Sequence, residues 1–227
     1  MADEELLFLP LGGAGEIGMN LNLHGYGQPS NPTWMMVDLG ITFGDGTHPG
    51  VDVIMPDPAY IEKHKDKLAG IVLTHAHEDH LGAVPYLWER FGCPIYATPF
   101  TVSIVQRKLA EVGLLDIVPI VEVPLNGSFQ VGPFEIDLIT LTHSIPEPNG
   151  MAIRTPLGTV LHTGDWKLDP NPVIGEPYDM RSEERRVGKE GRSRGAARDG
   201  REKRRKARTR RAHGCEQTAQ VKSGNGK

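Results

Sequence analysis

Leu73-Thr74-His75-Ala76-His77-Glu78-Asp79-His80-Leu81-Gly82 packs three imidazoles and two carboxylates into six residues, at the end of the short apolar run Ile71-Val72-Leu73. In extended backbone, residues i and i+2 point the same way, so His75 and His77 can close on one ion from the end of a strand. Asp79 and His80 fall one turn later, where Leu81-Gly82-Ala83-Val84-Pro85-Tyr86-Leu87-Trp88 opens a helix-period pattern, and from that corner they point at a different spot. The arrangement predicts two neighbouring ions. Imidazole nitrogen and carboxylate oxygen without thiolate favour zinc or manganese over an iron–sulfur cluster, and a catalytic over a closed structural site. A solvated turn is the plainer reading of any one of these histidines. Four donors at alternating and one-turn spacing weigh against it.

Two further strand ends carry donors of the same kind. Residues 134–141 end at Thr142-His143-Ser144, and Thr159-Val160-Leu161-His162 runs into Thr163-Gly164-Asp165-Trp166. Alone, His143 reads as a turn residue. As the third member of a set it becomes the natural partner of His75 and His77, and Asp165 the natural carboxylate bridge between two ions. Another carboxylate, Asp38, follows the buried strand Trp34-Met35-Met36-Val37. There it either orients a ligand imidazole through a hydrogen bond or caps a turn. His48, in the Gly-, Pro- and Asp-rich loop of residues 44–58, reads as solvated.

The surrounding pattern gives the fold class. Residues 6–11 are an apolar run feeding the glycine-rich loop Gly12-Gly13-Ala14-Gly15-Glu16-Ile17-Gly18-Met19-Asn20. A dinucleotide-binding turn would need a helix next, yet Asn20-Leu21-Asn22-Leu23-His24 alternates like a second strand. The glycines are then expected to let the backbone come close to a neighbouring strand or a bound phosphate. Residues 60–68 have helical character with Lys63, Lys65 and Lys67 toward the C-terminal end, the histidine stretch leads into a helix to about Phe91, and residues 94–97 form a short strand. Residues 99–112 read as a helix with Pro99 at the start and Gly113 after the end. Such alternation argues a βα-layered core. After Gly113 the period changes: residues 117–123, 128–131 and 134–141 are short β-rich runs split by Asn126-Gly127 and Gly132-Pro133, and residues 151–154 and 159–162 flank Leu157-Gly158 as a hairpin.

Charge divides the chain. Residues 1–180 carry 8 Lys+Arg against 23 Asp+Glu, a net of −15, and residues 181–227 carry 17 against 6, a net of +11. Arg occurs three times in the first part, at Arg90, Arg107 and Arg154, and twelve times in the second, whose only large apolar residues are Val187 and Val221. The expectation is one domain over residues 1–180 and a tail over 181–227 with no core to bury, hence disordered. An RNA-binding arm is one reading of that tail. Its abrupt, aperiodic Gly-, Ala- and Arg-dominated sequence ranks an out-of-frame or chimaeric translation above it. Two cysteines, Cys93 and Cys215, imply no disulfide framework and fit a reducing compartment. Met1-Ala2-Asp3-Glu4-Glu5 is acidic where a signal peptide would be basic, and no apolar run approaches the ~20 residues of a membrane span. A cytoplasmic protein without a membrane partner is expected.

The spacing His75-x-His77-x-Asp79-His80, with His143 and Asp165 at distant strand ends, resembles the metallo-β-lactamase superfamily. A narrower resemblance comes from Leu9-Pro10-Leu11-Gly12-Gly13-Ala14-Gly15-Glu16-Ile17-Gly18-Met19-Asn20, from Gly50-Val51-Asp52 with Met55-Pro56-Asp57, from Leu141-Thr142-His143-Ser144-Ile145-Pro146, and from His162-Thr163-Gly164-Asp165-Trp166-Lys167-Leu168-Asp169. These are similar to the ribonuclease J family of RNA-processing nucleases, in the β-CASP branch, over about residues 6–179. The resemblance implies an α/β fold, a metallo-β-lactamase-like αββα sandwich. The sandwich would be incomplete here, because the family inserts a β-CASP domain after this point and completes the fold, with another metal-binding His, beyond it. By the same resemblance His75, His77 and His143 hold one Zn²⁺, Asp79 and His80 the other, and Asp165 bridges them, with Mn²⁺ or Mg²⁺ as alternative ions. Asp79, His80 and Asp165 are the residues assigned to catalysis. The implied activity is metal-dependent exo- and/or endonucleolytic hydrolysis of RNA phosphodiesters in RNA processing and decay, impaired in a chain that lacks the remainder, with a homo-oligomer expected only at the family's full length. A net of −15 on residues 1–180 is a poor electrostatic match for RNA. The alternatives are a small-molecule hydrolase of the same fold, which should lack the glycine loop, and a non-catalytic RNA-binding fragment.

Overall fold

The computed structural model describes residues 3–173 apart from 45, 168 and 170. All belong to the first of two units, Met1–Val187; the second, Gly188–Lys227, and the whole Arg-rich segment from Arg181 lie outside the described residues. The chain opens with strands β1 (Glu5–Gly12), β2 (Leu21–Gly27) and β3 (Thr33–Val37), and β4 (Thr42–Phe43) pairs with β5 (Val53–Ile54) as a small ribbon. A single turn α1 (Ala59–Glu62) and a 3-10 turn at Lys65–Lys67 lead into β6 (Leu68–Val72), followed by the short helices α2 (Glu78–Leu81) and α3 (Val84–Leu87), strand β7 (Ile95–Ala97), helix α4 (Pro99–Glu111) and strand β8 (Ile120–Glu122). Four strands close the described part: β9 (Ser128–Val131), β10 (Phe134–Thr140), β11 (Asn149–Thr155) and β12 (Gly158–His162).

The strands form a six-stranded sheet in the order β1-β2-β3-β6-β7-β8 and a four-stranded sheet in the order β12-β11-β10-β9. The first is antiparallel from β1 to β3 and parallel from β3 to β8, as expected where βα units take over from a meander. The second is antiparallel throughout. Strand β3 explains the layering. Trp34 and Met36 enter the core shared with the helices, which includes Ile61, Leu81, Val105 and Leu109. Met35 and Val37, on the opposite face, pack with Phe134, Ile136, Leu138 and Met151 of the four-stranded sheet. A strand with both faces covered has no polar side to show, so its sequence is a continuous apolar run. The six-stranded sheet is thus a middle layer, with helices on one face and the second sheet on the other. Among the described residues no helix covers the far face of the four-stranded sheet, where an αββα sandwich has its last layer.

Two helices come out shorter than their sequence pattern suggests. In residues 60–68 the His64 ring Nδ1 sits 2.7 Å from the Tyr60 carbonyl oxygen, while the His64 N–H turns to Ile61. A side chain that takes the carbonyl needed by the next turn ends the α-helix, and residues 65–67 continue as a 3-10 turn. Between His77 and Phe91, Pro85 has no N–H to give to Leu81, so the run splits into α2, α3 and a 3-10 turn at Trp88–Arg90. Helix α4 keeps its full length. Its face of Val102, Val105 and Leu109 is buried, and Gly113 follows at φ 76°.

Candidate metal centre

All donor-bearing loops leave the sheets at one end, and backbone hydrogen bonds tie them together. Leu39 N–H donates to the His80 carbonyl at 2.7 Å and Ile41 N–H to the Glu78 carbonyl at 3.0 Å, joining the turn after β3 to α2. From the second sheet, Asn149 donates to the Thr74 carbonyl through its N–H and its Nδ2, both at 3.2 Å. Lys167 N–H donates to the Thr142 carbonyl at 2.8 Å and Thr142 Oγ1 to the Lys167 carbonyl, which locks the His143 loop to the Asp165 loop. Glu147 reaches across to accept the Phe100 N–H at 2.9 Å, at the start of α4, and Lys108 of the same helix pairs with Glu78 at 2.7 Å.

The fold brings the six candidate ligands into one region. His75 Nε2 lies 3.1 Å from His77 Nδ1, and the rings of both stand edge-on to His143, with centroids 5.2 and 4.8 Å away. One donor atom from each of His75, His77 and His143 falls within 4.8 Å of the others, and the same holds for His75, His80 and Asp165. A tetrahedral ion with metal–nitrogen bonds of about 2.0–2.1 Å needs ligand atoms roughly 3.3 Å apart, and the separations of 3.1 Å between His75 and His77 and 3.4 Å between His80 and Asp165 are of that size. Asp165 Oδ2 stands between the groups, 3.4 Å from His80 Nε2 and 3.7 Å from His143 Nε2. Asp79 belongs to neither three-residue group, but its Oδ2 is also 3.4 Å from His80 Nε2. His48 is exposed and meets Thr47 Oγ1 at 2.9 Å, away from the cluster.

Asp38 orients rather than caps. Its buried carboxylate accepts the Thr74 N–H at 2.8 Å and the Thr74 hydroxyl, and holds His80 Nδ1 at 2.7 Å. With Nδ1 engaged, His80 presents Nε2 to Asp79 and Asp165. The backbone meets this demand with φ 65° at Asp38, a conformation that Asp tolerates better than most residues. Electrostatics then separates the histidines. Burial pushes His75 down to about 3, with the neighbouring His80 adding to the effect, and burial likewise lowers His143; both are neutral and can donate a lone pair at pH 7. For His80 burial works in the same direction, but Asp38 with the hydrogen bonds to Asp165, Asp38 and Asp79 overrides it and pushes the imidazole up to about 12. The hydrogen bond to His80 in turn holds Asp165 down to about 2.

A sequence profile of the metallo-beta-lactamase superfamily matches residues 31–207. The chain belongs to this superfamily. Within it, the chain is 48% identical over 189 residues to Ribonuclease J of Sinorhizobium meliloti, a match that covers 83% of this chain and 33% of the relative. To Ribonuclease J of Helicobacter pylori it is 41% identical over 174 residues, covering 75% of this chain and 24% of the relative. The chain therefore spans a third or less of the length of these curated relatives. Among solved structures, the metallo-beta-lactamase fold protein YhfI of Bacillus subtilis matches with a TM-score of 0.50 at 16% identity, over 71% of this chain and 63% of that one, a likeness of fold alone. Membership of the superfamily and the imidazole-rich cluster together support a metal cofactor. Among the described residues no helix is long and apolar enough to cross a membrane.

Sequence reading missed other polar groups at this end of the fold. His24 and His162 stand edge-on with ring centroids 5.6 Å apart, and with Asn20, Asn22, Asp38, His80 and Asp165 they line a cavity of about 410 Å³. His24 was legible only as an alternating strand residue, and its neighbour lies more than a hundred residues away in the chain.

Proposed function

We propose that the chain carries the metal-binding part of a zinc-dependent ribonuclease of the ribonuclease J type, which hydrolyses RNA phosphodiesters in the cytoplasm. The observation that carries the reading is the gathering of two donor groups that share His75, with Asp165 between them, in a chain 48% identical to a ribonuclease J. His75, His77 and His143 would hold one ion and Asp79 with His80 the other. Divalent ions bound there supply Lewis-acid charge to the phosphoryl oxygens and lower the pKa of water at the site. The chain's own residues prepare that chemistry. Burial keeps His75 neutral, so no proton has to leave it when it becomes a ligand. Asp38 and Thr74 fix the tautomer and ring plane of His80. Asp165 and Asp79 remain partly solvent-facing, at 45% and 30% side-chain exposure, where a substrate can reach them. The buried free thiol of Cys93 suits a reducing compartment.

Two measurements test the reading. Metal analysis of purified His77→Ala and His48→Ala variants should find metal lost from the first and retained by the second; equal loss would sink the ligand assignment. Cleavage of single-stranded RNA with a 5′-monophosphate should then be followed in a chain continued to the length of its relatives. Cleavage should stop on chelation and in His77→Ala. A metal-loaded protein that leaves RNA intact and opens a lactam or thioester would make it a small-molecule hydrolase instead.

A further inference from the structure

The glycine-rich loop between β1 and β2 packs against its own chain. A methyl group on Gly12 would sit 2.1 Å from the Met19 carbonyl oxygen, one on Gly13 2.1 Å from Asn20 Oδ1, and one on Gly18 2.6 Å from the Thr42 side chain. Gly13 and Gly18 also hold φ at 79° and 99°, where an L side chain is strained. The room that three of the glycines give up is filled by protein atoms, so it offers no cradle for a phosphate. Only Gly15 of this loop faces open space.

What the packing holds in place is Asn20. Its backbone N–H and its Nδ2 both donate to the Asp79 carbonyl oxygen at 3.0 Å. The same Nδ2 lies 3.3 Å from His80 Nε2, and the Asn20 carbonyl accepts the Gly40 N–H at 2.9 Å. On the far side Gly40 is so close that a methyl group there would fall 1.7 Å from the Asp79 carbonyl oxygen. Asp79 and His80 themselves sit in α2, a four-residue helix. One turn does not hold its own geometry in water, so the direction of these side chains is set from outside, by the Asn20 loop and the Asp38–Gly40 turn.

We infer that Asn20 is a positioning residue for the Asp79–His80 half of the metal centre, and that the glycine-rich loop is built to deliver its amide there. This rests on the metal-centre reading proposed above. Substituting a group that orients ligands in this way weakens metal binding about 10- to 100-fold, and the loss falls on the ion its ligands hold.

The test is a Co²⁺ titration of the full chain, followed by its visible absorption and carried to high ion concentration so that the first and second equivalents are read separately. Urea midpoints of the metal-free proteins are measured alongside. Asn20→Ala should weaken the second equivalent by about 10- to 100-fold and leave the first unchanged. Asn20→Leu, which keeps the branched heavy-atom framework and loses the donor, should do the same. Gly13→Ala, whose methyl meets Asn20 Oδ1, should weaken the second equivalent too, and adding it to Asn20→Ala should make that ion no weaker. Unchanged titrations in Asn20→Ala overturn the inference, as does a Leu variant that titrates like the parent. Equal loss of both equivalents with a collapsed urea midpoint would show a purely structural role and also overturn it. A parent chain that takes up no Co²⁺ at all would sink the metal-centre reading, and this inference with it.

Discussion

His24 is 1% exposed, and neither of its ring nitrogens has a hydrogen-bond partner among the described residues. Burial, helped by the charge of the adjacent His162, pushes its pKa down to about 3. In the unfolded chain a histidine takes up its proton near pH 6.5, so between those two values the unfolded state binds the proton and the folded state does not. Stability is then complete above about pH 6.5 and falls as pH drops toward 3, by about 1.4 kcal/mol per pH unit for one such group. His75 adds a similar dependence in the metal-free chain. Replacing His24 by Phe should reduce the slope of stability against pH by close to one proton; urea midpoints of both metal-free proteins at pH 5 and pH 7 measure it, and parallel slopes would refute the account. The contrast with the histidine loop marks what single residues reveal. His75, His77, Asp79 and His80 lie within six residues, and His143 and Asp165 each follow a strand pattern, so their meeting could be read from spacing. Asn20, 59 residues from the Asp79 carbonyl it binds, carries no local signal, because an asparagine after glycines is ordinary turn chemistry.

At the scale of elements, periodicity identified strands better than helices. Strand β10 shows why: Phe134, Ile136 and Leu138 are buried while Glu135 is exposed and Asp137 half-buried, so the period of two survives in the residue types. Residues 78–91 instead carry a helical apolar rhythm that Pro85, with no N–H to give, breaks into separate turns. The rhythm reports which face is buried, and the backbone breaks are set by single residues within it. The β10 pattern also yields a stability prediction. Phe134 is fully buried between the two sheets, so Phe134→Ala should cost about 3–5 kcal/mol. Glu135→Ala, one residue on and facing solvent, should stay within about 0.5 kcal/mol. Denaturant midpoints of the two variants separate them, and a similar small effect for both would mean that the core between the sheets is loosely packed.

For the whole molecule, charge and coverage bear on how the centre fills. Residues 1–180 carry a net of −15, and Arg90, Lys108, Arg154 and Lys167 are each paired with a carboxylate. An acidic segment draws divalent cations in but repels an RNA backbone, so metal uptake is the more robust property of residues 1–180 and RNA affinity the weaker one. Uptake itself should be unequal. One donor group consists of three histidines from two loops, at least one of them fully buried. The other rests on His80 and the partly exposed carboxylates of Asp79 and Asp165. His80 must also give up a proton that its carboxylate neighbours hold firmly. Zinc titrated against a chromophoric chelator should therefore show one tight equivalent and a second at least about tenfold weaker, the scale on which missing ligand support acts, and phosphodiester cleavage, which draws on both ions, should be slight. In a chain continued to the relatives' length the second equivalent should tighten and cleavage rise together. Two equally tight ions and full cleavage in the 227 residues alone would show that the local donors suffice and that the continuation contributes nothing to the centre.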